Sequence, residues 1–137
     1  MLMSLELVPL ARQVDVALRK LEDELRGLSA GTIVLQIRND VIGKFGIRHL
    51  PLDCEDRGTA GEKQAGMTAA QVESLRRMAI EALNHKRSWT HGEISYDFVL
   101  RQGKVYLSVQ FESNYNMANL MFRLHPKGRD RRDAVNE

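Results

Sequence analysis

Three residues close together in the chain, His85, His91 and Glu93, have side chains that can bind a metal ion. A helix brings two ligands to one face when they are four residues apart, and common zinc motifs use short, defined spacings. The six-residue spacing of the two histidines matches neither arrangement. We therefore interpret the three residues as the polar side of a helix-to-strand corner, and we predict no metal ion or other cofactor.

The single cysteine, Cys54, could act as a nucleophile if a base such as His49 activated it. Asp53, Glu55 and Asp56 surround the cysteine in the sequence, and negative charges disfavour the thiolate that nucleophilic catalysis requires. The chain also lacks a phosphate-binding glycine loop and a serine within a G-x-S-x-G turn. These patterns predict that the protein is not an enzyme.

The basic residues are concentrated at the C-terminal end of the chain. Residues 123 to 137 contain Arg123, Lys127, Arg129, Arg131 and Arg132 against Asp130, Asp133 and Glu137. Removing these from the 20 basic and 18 acidic residues of the whole chain leaves 15 of each. A neutral body argues against a nucleic-acid-binding face on the fold itself, so nucleic acid is an alternative partner for the tail alone.

The length and composition are those of one globular domain. We predict a single domain over residues 1 to 125 and a disordered basic tail over residues 126 to 137. No apolar run reaches the roughly 18 residues that span a bilayer, and residues 1 to 6 do not have the pattern of a secretory signal. A lone cysteine suits a reducing compartment. The expected location is therefore the cytoplasm, without membrane contact.

Residues 5 to 28 have the apolar spacing of an amphipathic helix, with Pro9 in its first turn. The apolar stripe consists of Leu7, Ala11, Val14, Leu18, Leu21, Leu25 and Leu28. The same heptad spacing also permits a coiled-coil dimer, although about three heptads is short for one. We favour a helix that packs on the protein's own sheet.

The apolar residues then alternate with period two on both sides of residues 39 to 43, which indicates a β-hairpin. A five-residue loop there predicts three pairs on one face: Ile37 with Phe45, Leu35 with Ile47, and Ile33 with His49. Residues 53 to 66 follow, with three glycines and no large apolar side chain, and we predict a mobile loop.

A second helix is predicted from Thr68 to about Arg87. Thr68 and Gln71 have the spacing of a capping box, and Met67 and Val72 that of a hydrophobic staple. The apolar residues after them recur at helical spacing and form the inward stripe: Val72, Leu75, Ala79, Ala82 and Leu83.

The stretch HGEISYDFVLRQGKVYLSVQFESNY, residues 91 to 115, predicts a second hairpin. A two-residue turn at Gln102 and Gly103 gives four apolar cross-strand pairs: Leu100 with Val105, Phe98 with Leu107, Tyr96 with Val109, and Ile94 with Phe111. Residues 117 to 124 also alternate and favour a third strand, although the spacing of their apolar residues fits a helix as well.

The resulting order, α-β-β-α-β-β-(β), predicts an α+β two-layer domain, an antiparallel sheet with two helices on one face. The expected core joins the first helix to the inward residues of the sheet and the second helix. It consists of Val14, Leu18, Leu21, Leu25, Leu35, Ile37, Phe45, Leu75, Phe98, Leu107 and Phe111.

The other face of the second hairpin is the candidate binding surface. Tyr106 and Val99 would form a small apolar spot there, with Asp97, Ser108 and Gln110 as its polar rim. The alternative is that Val and Tyr are simply good strand-forming residues. Trp89, before the first strand of this hairpin, is either core or a second anchor for a partner, and we favour core.

Residues 87 to 111, RSWTHGEISYDFVLRQGKVYLSVQF, resemble the corresponding part of the YezG-like immunity proteins. The matching residues are Trp89, Thr90, Phe98, Gly103, Lys104 and Phe111. The preceding order of helix, hairpin and helix is also similar, so the resemblance extends over residues 5 to 111. It implies a small antitoxin that neutralises a toxin by binding it, without catalysis. The sequence leaves the oligomeric state open between a monomer and a homodimer.

Overall fold

The fold is an antiparallel sheet of four strands with helices packed on one of its faces. The computed structural model describes residues 8–52, 54–56, 58–59, 66–86 and 88–124. In chain order the elements are α1 (Leu10–Lys20), α2 (Glu22–Leu25), β1 (Ala30–Arg38), β2 (Val41–His49), β3 (Cys54–Glu55), β4 (Gly58–Thr59), α3 (Ala69–Glu81), a 3-10 turn (Ala82–His85), β5 (His91–Arg101), β6 (Lys104–Ser113) and α4 (Met117–Leu124). The strand order in the main sheet is β2-β1-β5-β6.

The core lies between α1, α2 and α3 and the inner face of the sheet. The buried apolar side chains include Val14, Leu18, Leu25, Ile33, Leu35, Ile37, Val72, Leu75, Ala79, Ile94, Tyr96 and Phe98. Burial raises the pKa of the Tyr96 phenol, and its hydroxyl donates a hydrogen bond to the carbonyl of Ala79 at 3.0 Å. The predicted α+β class and the packing of the first helix on its own sheet are confirmed.

The first helix is shorter than predicted. The carbonyl of Pro9 accepts the N–H groups of Arg12 and Gln13 at 3.0 and 3.1 Å, so α1 begins directly after the proline. Leu21 interrupts the helix before α2, and the predicted continuous helix over residues 5 to 28 is wrong in its bounds. The change of direction leaves Leu21 half-buried, and Ala11 of the predicted stripe is exposed.

Gln13 is a buried polar residue that fastens α1 to the turn between β1 and β2. Its side-chain amide donates to the carbonyls of Val8 and Asp40 at 2.9 and 3.0 Å. Its oxygen accepts the N–H of Ile42 at 2.8 Å. A buried amide is tolerated when its polar groups have partners, and these partners tie the sheet to the helix layer.

Gln13→Leu should lower the free energy of unfolding by about 2 kcal/mol, because it removes the partner of three partly buried backbone groups, those of Val8, Asp40 and Ile42. Urea denaturation measures this change. The matched control is Gln36→Leu, the same substitution at an exposed position of β1, which should stay within about 0.5 kcal/mol of the parent. Equal stabilities of the two variants would mean that these hydrogen bonds add nothing.

Asp15 links α1 to α3. Its carboxylate contacts Arg19 Nε at 2.9 Å and Arg76 Nε at 3.0 Å. The hydrogen bond from Arg19 and the charges of both arginines hold the pKa of Asp15 below its usual value, although partial burial opposes the shift. The arrangement keeps the two helices side by side on the sheet.

The first hairpin turns on Asn39 and Asp40, which both have positive φ, 50° and 61°. Two such residues form the tight connection that suits the twist of two strands. The predicted loop over 39 to 43 and its pairs are therefore wrong by two residues. The pairs are Leu35 with Phe45, Ile33 with Ile47, and Ile37 with Ile42. A bulge places Gly43 and Lys44 opposite Gln36.

Four residues predicted for the core are less covered than expected. Leu21, Leu107 and Phe111 are half-buried, and Phe45 is 37% exposed. Phe45 lies on β2 and the other two strand residues on β6, the two edges of the sheet. Alternation predicts the face of an edge residue correctly, but the missing neighbour strand leaves one side of it uncovered.

The start of α3 matches the prediction. Thr68 Oγ1 accepts the N–H of Gln71 at 3.1 Å, and Gln71 Oε1 accepts the N–H of Thr68 at 2.8 Å. Met67 and Val72 are both buried, as the hydrophobic staple requires. The helical stretch ends at His85 in a 3-10 turn, two residues before the predicted end.

The second hairpin is confirmed in full. Gln102 and Gly103 have φ of 50° and 78° and form the two-residue turn. The four predicted apolar pairs all occur: Leu100 with Val105, Phe98 with Leu107, Tyr96 with Val109, and Ile94 with Phe111.

Residues 117 to 124 form α4, so the favoured third strand is wrong and the helical alternative is right. Asn114 donates its N–H to the carbonyl of His91 at 2.9 Å, which extends the β5–β6 pairing by one residue before α4 begins at Met117. Met117, Leu120 and Met121 lie on the exposed side of α4.

Parts of two predicted segments lie outside the described residues. In 53–66 the structure pairs Cys54 with Thr59 and Glu55 with Gly58, so a two-stranded ladder lies in the predicted loop. The basic tail, residues 126 to 137, is not among the described ranges.

Candidate functional site

The outer face of the sheet is opposite the helices. Side chains of a strand alternate between the two faces, so each inward core residue has an outward neighbour. In the part of the chain that the structure describes, α1 packs against β2 and α3 against β6 on the inner side. The outer residues of the second hairpin are therefore open to contact.

The five residues predicted to bind a partner lie together on this outer face. Val99 pairs with Tyr106, and Asp97 with Ser108 in the next outward pair. Tyr106 is 51% exposed, Val99 is half-buried, and Asp97, Ser108 and Gln110 are exposed. Their position agrees with the prediction, and their role in binding stays a prediction.

Asp97 is held in place by the neighbouring strand. Thr32 of β1 lies directly opposite it, and the Thr32 hydroxyl donates a hydrogen bond to Asp97 Oδ1. This exposed carboxylate suits a polar rim around the Val99–Tyr106 pair.

A cleft of about 790 Å³ lies at the other end of the outer face. Its lining includes Gln36, Arg38, Lys44, His91, Glu93 and Asn114. Arg38 Nε donates to His91 Nε2 at 3.2 Å, so His91 accepts a hydrogen bond with that nitrogen. Guanidinium, ammonium and amide groups of this kind recognise carboxylates.

A shallower depression of about 330 Å³ adjoins the cleft beside Gly46. A side chain at Gly46 would meet no atom within 4 Å, so the depression exists because the glycine leaves this space empty. The sequence prediction missed Arg38, Lys44 and Gly46. Their alternation on the polar side of the first hairpin was a signal, but their grouping depends on the bulge and the register.

Basic side chains outnumber acidic ones on the outer face. Strand alternation and pairing place Arg38, Lys44, Arg48, Arg101 and Lys104 there, with Glu93, Asp97 and Glu112. The mixed charges surround the apolar pair instead of forming one basic stripe. Such a surface suits a polar partner with a moderate excess of negative charge.

The residues first considered for metal binding or nucleophilic catalysis make other contacts or lie apart. His49 Nε2 lies 2.7 Å from Glu24 Oε2, and the exposed Cys54 directs its thiol towards the carbonyl of Leu52 at 3.8 Å. His85 is exposed on the 3-10 turn, whereas His91 and Glu93 lie on β5. Within the described ranges, no group of three or more His, Cys, Asp or Glu side chains is arranged to hold a metal ion.

Among the described helices, none has the length and apolar character needed to cross a membrane.

Comparisons with known proteins find no matching family model, no matching curated protein and no matching solved structure. The resemblance to YezG-like immunity proteins stays a prediction.

Proposed function

We propose that the protein binds another protein through the outer face of β5 and β6, without catalysis. The observation that carries the proposal is the half-exposed Tyr106 beside Val99, on a face that no described helix covers. A tyrosine offers a large contact area at a low cost in conformational entropy, and such residues are often the anchors of protein interfaces.

Rigidity of the surface supports this proposal. β5 and β6 are paired without interruption from Gly92–Ser113 to Arg101–Lys104. Gln71 of α3 donates to the carbonyl of Gly103 at 3.0 Å, which fixes the turn between the strands. A partner would therefore meet a preformed surface and would not need to order it on binding.

The finer proposal is that the partner is a toxin and the protein an immunity protein or antitoxin of the cytoplasm. Its support is the sequence resemblance over residues 87 to 111 and the free thiol of Cys54, which fits a reducing compartment. A search for a large toxin gene beside this gene is the quickest test.

Tyr106→Ala should weaken partner binding by about 2 kcal/mol, or roughly thirtyfold, and leave the thermal stability nearly unchanged. A pull-down from the native host identifies the partner, and titration calorimetry compares the parent and the variant. The matched control is Tyr115→Ala, because Tyr115 is 87% exposed and follows the end of β6. It should bind like the parent.

Three outcomes distinguish the possibilities. Unchanged affinity of a folded Tyr106→Ala variant would reject this face as the interface. A large loss of thermal stability would show that Tyr106 serves the fold. Binding to DNA or RNA that weakens with salt and disappears on deletion of residues 126 to 137 would instead favour the basic tail as the functional segment.

A further inference from the structure

The two edges of the sheet differ in how well they are protected against pairing with another strand. A free edge carries unpaired N–H and C=O groups, and proteins protect such edges with bulges, prolines or charged side chains, especially lysine. β2 has two of these protections, a bulge at Gly43 and Lys44 and two positive charges within the strand, Lys44 and Arg48.

β6 is less well protected, because it has no bulge and its charges lie only near its ends. Its sequence, KVYLSVQFES, contains no proline or glycine, and its pairing with β5 has no bulge. Its two charged residues, Lys104 and Glu112, lie near opposite ends and have opposite signs. Within the described part of the chain no strand pairs with its outer side.

The inward side chains of β6 are incompletely buried. Ile94 and Tyr96 on the neighbouring β5 are fully buried, whereas Val109 and Phe111, their partners on β6, are only half-buried. An additional strand beside β6 would cover the exposed sides of these residues. The edge therefore offers both unpaired backbone groups and apolar surface.

The turn between β5 and β6 determines which residues of β6 direct their N–H and C=O groups away from β5. In a tight turn the N–H of the fourth residue, here Lys104, donates to the carbonyl of the first, Arg101. Hydrogen-bonded and non-hydrogen-bonded pairs then alternate. Val105, Leu107, Val109 and Phe111 consequently direct their N–H and C=O groups to the free edge.

We infer that the protein forms a homodimer in which the β6 strands of two copies pair antiparallel, with a two-fold axis at Ser108. This register places each Lys104 opposite Glu112 of the second copy. It also pairs inward residues with inward residues: Val105 with Phe111, and Leu107 with Val109. Outward Tyr106 lies opposite Gln110. The strand is thus complementary to itself in charge and in apolar character.

The occupant of this edge is a second copy because of the charge order along β6. Antiparallel pairing of β6 with itself brings opposite charges together at both ends, whereas pairing β2 with itself would bring only positive charges together. The dimer continues the sheet through eight strands, with the helices of both copies on the same side. It does not depend on the proposed partner face.

Charge exchange tests the register directly. Lys104 and Glu112 are exposed, so changing them should not disturb the fold. Lys104→Glu and Glu112→Lys each place two like charges opposite each other at both ends of the interface. Each variant should dimerise roughly tenfold more weakly than the parent. Analytical ultracentrifugation over a concentration series measures this weakening.

Two combinations should restore the dimer. The double variant K104E/E112K again places opposite charges across the interface of a homodimer. An equimolar mixture of the two single variants places opposite charges across the interface of a heterodimer. The charge-matched control, Glu73→Lys on the exposed side of α3, should dimerise like the parent. Circular dichroism of each variant verifies the fold.

Amide exchange gives a second, independent measurement. The N–H groups of Leu107 and Val109 should be protected in the parent dimer and exchange rapidly in the Lys104→Glu variant at low concentration. Those of Tyr106 and Ser108, which bond to β5, should stay protected in both. A parent that sediments at the 15.6 kDa of one chain at all concentrations overturns the inference, as does a dimer that is insensitive to the charge changes.

Discussion

Trp89→Ala should lower the free energy of unfolding by about 3–5 kcal/mol, the usual range for a large aromatic residue in a core. The indole is only 2% exposed. Its ring lies 5.8 Å from that of Phe111, with Lys86 Nζ 4.8 Å from its centroid. Its backbone also exchanges two hydrogen bonds with Asp40, at 2.8 and 3.0 Å. Urea denaturation of the parent and the variant measures the loss.

Two variants make this result interpretable. Trp89→Phe keeps an aromatic ring and removes an indole N–H that has no acceptor among the described residues, so it should cost clearly less than Trp89→Ala. Tyr115→Ala removes an exposed aromatic ring and should stay within about 0.5 kcal/mol of the parent. If Trp89→Ala and the parent unfold at the same urea concentration, the Trp89 side chain does not stabilise the fold at the start of β5.

Gly92→Ala should destabilise the protein by about 3 kcal/mol or more, although it adds only one methyl group. A Cβ at Gly92 would lie 2.2 Å from the backbone oxygen of Glu112 and 2.6 Å from the ring of Trp89. Backbone cannot move aside as a flexible side chain can, so the strands β5 and β6 would have to separate at this end. Thermal and urea denaturation both report the effect.

Gly46→Ala is the matched control, since an added Cβ there meets nothing within 4 Å. It should be neutral, or slightly stabilising because alanine restricts the unfolded chain. In a double-mutant cycle, Trp89→Phe should relieve part of the cost of Gly92→Ala, because one of the two clashes involves the indole ring. Equal effects of Gly92→Ala and Gly46→Ala would mean that the close approach at Gly92 does not exist.

The elements that the sequence determined by itself are those whose interactions are local. Gln102 and Gly103 define the turn of the second hairpin, and the register of all its apolar pairs follows from that turn. The capping box of Thr68 and Gln71 likewise involves residues three positions apart. The alternation of β5 and β6 also placed the five proposed binding residues on one face, because the side-chain period of a strand is two.

Tertiary structure decided the features that depend on distant residues. The first hairpin turns at Asn39 and Asp40, where Gln13 and Trp89, far away in the sequence, hold the turn through hydrogen bonds. Gly43 and Lys44 of the bulge both line the cleft at this end of the outer face. Residues 117 to 124 fit two periodicities, and they form the helix α4 after the β5–β6 pairing ends, a choice that the local spacing alone does not make. Burial of Phe45 and Phe111 could not be read from alternation, since it depends on which strands lie at the edges, and a period of two identifies a face without identifying its neighbours.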